Sequence, residues 1–294
     1  MSILRSLLYT PGNRPKMMDK APGFGADALI FDLEDTVPVD KKAEGRLITG
    51  EYIEKFKNDC ILYVRVNGMS TGLLQEDLEA VVINGLRGVM LPKASSPDEV
   101  RTVDAMITAV EQAHGLPAGK IELGVGLETA KGVYSAYEIA TASKRISSVT
   151  IGIAQDGDLL TDLGCLWSDE GIETLYVRSK VVLETRAAGI ENPLDGVHAN
   201  FRDQAGLIKA SQLARRLGYR GKKLIHPSQV APVNEIFTPT ADELDYYRRV
   251  LDTFNEALTK GSASTSVDGK LIDYAMVVNA RKVLSWAEGL AAKE

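Results

Sequence analysis

Short apolar runs alternate with longer amphipathic segments along most of this chain. Aliphatic and β-branched runs occur at 5–9, 27–33, 60–66, 87–91, 121–126, 148–153, 194–198 and 222–226. Between most of them lie segments with helical periodicity, at 40–57, 73–83, 97–113, 131–142, 171–188 and 204–216. Strands that alternate with helices form right-handed βαβ units around a parallel sheet. Eight such strands favour an α/β fold of the closed (β/α)8 TIM barrel type over an open doubly wound sheet.

After the eighth apolar run the pattern becomes helical. TADELDYYRRVLDTFNEALTKG predicts an amphipathic helix with Thr240 as its N-cap, and IDYAMVVNARKVLSWAEGLA predicts a final helix. Between them, SASTSVDGKLID predicts a flexible or turn-rich connection. We therefore predict a barrel over residues 1–237 and a C-terminal helical extension over residues 238–294.

The composition adds limits on the class of protein. With 294 residues, 45% hydrophobic and 25% charged, the chain is typical of a globular protein with a sizeable core. Its net charge of −6 gives no basic surface for nucleic acid. No apolar run is long enough to span a membrane, and the first residues do not resemble a signal peptide. Cys60 and Cys165 lack metal or redox spacing, which predicts reduced thiols in a cytoplasmic protein.

Polar residues follow every predicted strand. In a TIM barrel the carboxyl ends of the strands carry the active site, so these residues are the candidates for chemistry. The groups after the second to the eighth strand are Asp32-Leu33-Glu34-Asp35, Arg65-Val66-Asn67, Pro92-Lys93, Glu128-Thr129, Asp156-Gly157-Asp158, His198-Ala199-Asn200 and His226-Pro227-Ser228.

Two of these acids, Glu128 and Asp158, follow neighbouring strands. Carboxylates without a paired His or Cys suit a hard cation such as Mg²⁺. The alternative is that each acid caps the helix it precedes, and Asp156 competes with Asp158 as the second ligand. Glu34 and Asp35 would then hold metal-bound waters or pair with neighbouring cations.

Arg65 lies within an apolar strand and needs anionic or carbonyl partners there. It either pairs with Glu34 or Asp35, or directs its guanidinium at a substrate oxygen on which negative charge develops. Lys93 has the same two interpretations. The turn after the first strand offers backbone amides and cations suited to phosphate groups, at Gly12, Arg14, Lys16 and Lys20.

Seven motifs follow one another along the chain: RSLLYTPGNRPKMMDKA, ALIFDLEDTVPVDKKAEGR, YVRVNG, GVMLPKA, LETAKGV, GDLLTDLG and GKKLIHPSQV. In this order they resemble the motifs of the citrate lyase β-subunit-like acyl-CoA lyases. This group belongs to the aldolase and citrate-lyase superfamily that contains malyl-CoA and citramalyl-CoA lyases. The resemblance covers nearly the whole chain and implies a (β/α)8 barrel that binds Mg²⁺ and coenzyme A thioesters and assembles as a homotrimer or hexamer.

The resemblance also implies roles for single residues. The family's metal ligands fall on Glu128 of LETAKGV and Asp158 of GDLLTDLG, and its substrate arginine falls on Arg65. Because IGIAQDGDLL is longer than the family's usual Gly-Ala-Glu-Asp, Asp156 stays an alternative to Asp158. The residues that contact coenzyme A in similar enzymes fall on Tyr9, Arg14 and Lys20.

Family members with a C-terminal lid carry an Asp in a Gly-x-hydrophobic-Ile-Asp motif, which completes the site of a neighbouring subunit. DGKLIDY places that role on Asp273, so the C-terminal extension is expected to act as a lid. Asp273 would move the proton on the acetyl-CoA methyl carbon, beside Arg65, Glu34 and Asp35 in the catalytic site.

The expected activity is a Mg²⁺-dependent carbon–carbon lyase that splits a 3-hydroxyacyl-CoA into acetyl-CoA and a 2-oxo acid. Citramalyl-CoA, which gives pyruvate, is the first candidate and malyl-CoA, which gives glyoxylate, is the second. The alternatives are a citrate lyase β subunit acting on a citryl-carrier thioester, a pyruvate aldolase that uses no coenzyme A, and a non-catalytic acyl-CoA-binding protein.

Overall fold

The structure, a computed structural model, describes residues 3–291. Residues 4–237 form one compact unit, and residues 238–291 form a second unit with Ile3. In the first unit eight parallel strands close into a barrel in chain order, with β8 paired to β1. This confirms the predicted (β/α)8 fold. The strands are β1 (Ser6–Pro11), β2 (Ala28–Asp32), β3 (Leu62–Arg65), β4 (Gly88–Leu91), β5 (Glu122–Leu127), β6 (Ile146–Ile151), β7 (Asn192–Asp195) and β8 (Gly221–Leu224).

Helices follow the strands around the outside of the barrel. The segment predicted as one helix over 131–142 is divided at Ser135 into two short helices. No helix within residues 3–291 is long and apolar enough to cross a membrane. The helices of this unit are α1 (Pro15–Met18), α2 (Lys42–Phe56), α3 (Leu74–Val81), α4 (Pro97–Ala113), α5 (Ala130–Tyr134), α6 (Ala136–Ala140), α7 (Asp158–Leu163), α8 (Ile172–Ala187), α9 (Gln204–Leu217) and α10 (Val230–Phe237).

The strands are buried on both faces, which explains their continuous apolar runs. Alternate side chains point into the barrel, where Leu7, Ile30, Tyr63, Met90 and Leu194 belong to one apolar cluster. The side chains of opposite parity pack against the surrounding helices in a larger cluster. This alternation decides which polar side chains can reach the barrel interior.

The second unit contains α11 (Ala241–Thr259), a hairpin of β9 (Thr265–Val267) and β10 (Lys270–Ile272), and α12 (Tyr274–Ala291). Thr240 caps α11 as predicted. The hairpin was not predicted, since its segment was expected to be a flexible or turn-rich connection. Its turn is the dipeptide Asp268-Gly269, in which both residues have positive φ, the geometry of a two-residue hairpin turn.

Candidate active site

A cavity of ≈ 180 Å³ opens among the carboxyl ends of the barrel strands. Its walls include side chains from β1, β3 and β8 and from the segments that follow β2, β5 and β6. The charged and aromatic residues among them are Tyr9, Asp35, Arg65, Glu128, Asp158 and Lys223. The structure therefore brings most of the predicted site residues of the barrel to one cavity.

Arg65 at the end of β3 joins the acids that follow β2. Its Nε and Nη2 donate to the two carboxylate oxygens of Asp32, over 2.7 and 2.8 Å. Its Nη1 lies 2.8 Å from Glu34 Oε2 and 3.2 Å from Asp35 Oδ2. The guanidinium also stacks over the ring of Tyr9, with Cζ 4.8 Å from the centroid. The predicted ion pairs of Arg65 are thus present, and the fully buried Asp32 is its bidentate partner.

The acids at 32–35 have unequal pKa values. Burial alone would raise the pKa of Asp32, but the hydrogen bonds and charge of Arg65 outweigh it and lower that pKa. Burial raises the pKa of Glu34 to about 7, because the attraction of Arg65 does not compensate for lost solvation and for repulsion by Asp35 and Glu128. The cluster therefore still carries surplus negative charge despite Arg65.

Glu128 follows β5 and makes no hydrogen bond or ion pair with any residue from 3 to 291. Thr129, not Glu128, caps α5, so the capping alternative does not apply to this acid. The backbone of Gly152 after β6 makes room for it, since a Cβ at that position would lie 2.3 Å from Glu128 Cγ. The fold thus holds a partly buried carboxylate in the cavity without a protein partner.

Asp158 is the first residue of α7, and Gly157 occupies the cap position. Its carboxylate lines the cavity and lies 2.9 Å from Lys93 Nζ. Lys93 has a positive φ of 52°, a backbone conformation that costs free energy for a side chain with a Cβ. Asp156 is exposed, and it is absent from the residues that line the cavity. The geometry therefore favours Asp158 over Asp156 as the partner of Glu128.

The residues present fit a divalent cation. Glu128 and Asp158 line one cavity, and the two carboxylate oxygens of Glu128 make no hydrogen bond or ion pair with residues 3–291. No group of three His, Cys, Asp or Glu residues in the described part of the chain could enclose an ion, so water or substrate would complete the coordination, as Mg²⁺ commonly allows.

The other predicted site residues are placed as follows. Tyr9 lines the cavity, whereas Arg14 and Lys20 are exposed beside α1 and do not line it. Asp273 is exposed in the second unit and caps α12, where its Oδ1 accepts hydrogen bonds from the backbone N–H groups of Ala275 and Met276, over 2.9 and 3.2 Å. Their predicted roles toward coenzyme A and the neighbouring subunit stay predictions.

Lys223 is a cavity residue that the sequence patterns did not single out. It pairs in register with Leu7, whose side chain belongs to the barrel interior, whereas its neighbour Lys222 points to the helices. Lys222 Nζ lies 2.5 Å from the buried Asp195, but Lys223 makes no ion pair with a residue from 3 to 291. Adjacent lysines of one strand thus differ in their surroundings.

Because their surroundings differ, we expect substitutions of Lys222 and Lys223 to have different effects on the stability of the fold. Lys222→Met should destabilise the fold by about 1–3 kcal/mol, because it removes one of the two cations that compensate the buried Asp195 and leaves Arg178 as the other. Lys223→Met should be neutral or stabilising, because an ammonium without an ion-pair partner is replaced by an apolar side chain of similar size. Midpoints of chemical denaturation of the two variants and the unchanged protein measure this. Equal destabilisation by both substitutions would contradict it.

Comparison with known proteins identifies the relatives of this chain. Residues 5–227 match the model of the family described as HpcH/HpaI aldolase/citrate lyase. The citrate lyase subunit beta of Leuconostoc mesenteroides subsp. cremoris is 35% identical over 285 residues, which are 96% of this chain and 93% of that protein. A (3S)-malyl-CoA thioesterase of Cereibacter sphaeroides is 34% identical over 294 residues, covering 98% and 96% of the two chains.

Solved structures show the same architecture. The protein CitE of Mycobacterium tuberculosis, in complex with magnesium, acetoacetate and coenzyme A, is 27% identical with a TM-score of 0.76, over 98% of this chain and 100% of that chain. A citrate lyase of Burkholderia xenovorans has a TM-score of 0.83 over 99% of this chain and 93% of that chain. At 17% identity, the latter supports the fold alone.

Proposed function

The chain belongs to the HpcH/HpaI aldolase/citrate lyase family, and from this premise we propose that it is a Mg²⁺-dependent carbon–carbon lyase acting on a 3-hydroxyacyl-CoA. The products would be acetyl-CoA and a 2-oxo acid. Citramalyl-CoA is the first candidate substrate and malyl-CoA the second. The CitE structure with magnesium and coenzyme A supports the choice of cofactor and thioester.

One observation carries the proposal. Glu128, which makes no hydrogen bond or ion pair with residues 3–291, and Asp158 line the same cavity as the guanidinium of Arg65. When bound there, Mg²⁺ would supply a Lewis acid that polarises the oxygens of the 2-oxo acid half. Two carboxylates and a fixed guanidinium are the protein groups that such a cleavage requires for binding and charge stabilisation.

Arg65 would stabilise the substrate oxygen that gains charge as the carbon–carbon bond breaks. A guanidinium has five N–H donors, and the hydrogen bonds of Arg65 to Asp32 and Asp35 employ three of them. The bidentate pair with Asp32 fixes the orientation of the side chain. The N–H donors that remain are therefore available, and their positions are set before substrate arrives.

Glu34 and Asp35 would hold Arg65 and the waters around the metal in place. Tyr9 would pack against the acyl part of the thioester, with Arg14 and Lys20 binding the phosphates of coenzyme A. The second unit would act as a lid, and Asp273 would exchange the proton on the acetyl-CoA methyl carbon in a homotrimer or hexamer. Light scattering of the purified protein tests the assembly.

The decisive experiment is cleavage of citramalyl-CoA and malyl-CoA with Mg²⁺. We expect stoichiometric acetyl-CoA and 2-oxo acid without free thiol, and loss of cleavage with EDTA that added Mg²⁺ restores. Release of free coenzyme A would instead indicate thioester hydrolysis, the activity named for the Cereibacter sphaeroides relative. Full cleavage in EDTA would remove the proposed metal site.

Binding of coenzyme A separates the proposal from a pyruvate aldolase that uses no coenzyme A. A ligand that binds only the native state increases the free energy of unfolding, by about 2.7 kcal/mol at a ligand concentration one hundred times its Kd. The melting temperature rises as a result. We therefore expect acetyl-CoA to raise the melting temperature in a dose-dependent manner, measured by differential scanning fluorimetry. Pantetheine without phosphates serves as the control and should act more weakly. No shift with acetyl-CoA would favour the aldolase. A shift without cleavage of any thioester would favour a binding protein.

A further inference from the structure

Lys223 differs from Arg65 and Lys93 because, among residues 3–291, no carboxylate forms an ion pair with it. Only 5% of this residue is exposed, although it lines the cavity. Arg65 is held by the acids at 32–35 and Lys93 by Asp158. Within residues 3–291 Lys223 makes no hydrogen bond or ion pair, and its Nζ lies 5.6 Å from the centroid of the Tyr9 ring.

Such a position is costly for an ammonium group. Burial lowers the pKa of Lys223 to about 8, while the negative charge of Glu128 opposes the shift. An ammonium at this position has three N–H donors that find no acceptor among residues 3–291, and the side chain lines the cavity. Folded proteins seldom retain such a group unless a ligand or water accepts those donors.

The cavity defines what that acceptor can be. Its volume of ≈ 180 Å³ exceeds that of single waters, which occupy about 30 Å³ each in the liquid, so it admits a small organic acid. The carboxylates of Glu128 and Asp158 repel an anion that approaches them, unless a bound cation separates the anion from the two carboxylates. Lys223 projects from β8, a strand that carries neither acid, and offers an anion a direct partner.

We propose that Lys223 binds the carboxylate of the 2-oxo acid half of the substrate, and so selects ligands that carry an anionic group beside the carbonyl. This inference rests on the proposed function, since it presumes a 2-oxo acid in the cavity. Lys223 would donate charge-assisted hydrogen bonds to carboxylate oxygens, and the Tyr9 ring beside it would limit where the ammonium can lie.

The test compares Lys223→Met with the unchanged protein, using pyruvate and its uncharged amide, pyruvamide, as ligands. Affinities are measured by calorimetry at a saturating Mg²⁺ concentration, above which the measured affinity no longer changes. Removing a hydrogen bond to a charged group should weaken pyruvate binding about 10- to 100-fold. Pyruvamide should bind the two proteins alike. Lys120→Met, which removes a lysine that precedes β5 at the opposite end of the barrel, is the control and should bind pyruvate normally.

Each other outcome decides the matter. Unchanged pyruvate affinity in Lys223→Met would overturn the inference and leave the proposed function intact. Equal weakening for pyruvate and pyruvamide would also overturn it, because the lysine would then only shape the cavity or balance Glu128. If the unchanged protein with Mg²⁺ binds no pyruvate, glyoxylate or oxaloacetate, the proposed function fails, and the inference fails with it.

Discussion

Glu128→Gln is expected to lower kcat for thioester cleavage about a thousandfold, since Lewis-acid stabilisation amounts to several kcal/mol and each 1.4 kcal/mol is about tenfold in rate. An amide of the same size keeps the packing against Gly152 but removes the charge that a hard cation requires. Stability should change little, because Glu128 makes no hydrogen bond or ion pair with residues 3–291, and its attraction to Lys223 is offset by its repulsion of Glu34. Steady-state kinetics, a Mg²⁺ binding isotherm and a melting curve together measure these effects.

The segment after β6 contains the matched control. Asp156→Asn changes an exposed acid outside the cavity lining and should leave both turnover and Mg²⁺ affinity unchanged. Asp158→Asn should weaken Mg²⁺ binding as Glu128→Gln does. If Asp156→Asn abolished Mg²⁺ binding and Asp158→Asn did not, the two acids would have to exchange roles.

The sequence was sufficient for the fold because two independent patterns agreed. Continuous apolar runs predict strands buried on both faces, and amphipathic segments between them predict the surrounding helices. Errors concern strand boundaries, the division of the segment 131–142 into two helices, and the hairpin of the second unit. The seventh strand was predicted at 194–198 but is Asn192–Asp195, since it pairs with β6 through Pro193 and ends before Gly196 and Val197, which line the cavity. The hairpin at Asp268-Gly269 went unpredicted although Asp-Gly is a recognised turn signal.

The candidate site was predictable where chemistry and strand ends coincide. Glu128, Asp158 and Arg65 follow or end apolar strands, so barrel geometry alone brings them together. Lys223 escaped notice because GKKL places two lysines in one short strand, and only the register shows which of them faces inward. The pairing of Lys223 with Leu7, a residue of the barrel interior, identifies Lys223 as the lysine that faces inward. The sequence predicted Glu34 and Asp35 as the partners of Arg65 but not Asp32. This third contact depends on side-chain positions that the sequence does not specify.

Asp273→Asn is expected to lower turnover about a hundred- to ten-thousandfold, the range for loss of a general acid or base. The substitution is a clean test because Asn caps helices about as well as Asp. An Asn oxygen at this position can still accept from the N–H groups of Ala275 and Met276, so α12 should keep its cap and the second unit its stability. Loss of activity would then reflect the missing carboxylate rather than unfolding.

Three measurements make the Asp273 prediction decisive. Turnover should fall, exchange of the acetyl-CoA methyl protons with D₂O should slow by a similar factor, and the affinity for acetyl-CoA should change little. Asp268→Asn is the control in the same unit: it loses an exposed ion pair with Arg249 but keeps a residue that tolerates positive φ, so turnover should be unaffected. Unchanged proton exchange in Asp273→Asn would remove this carboxylate from the chemistry, because a residue that only caps α12 has no means of altering that rate.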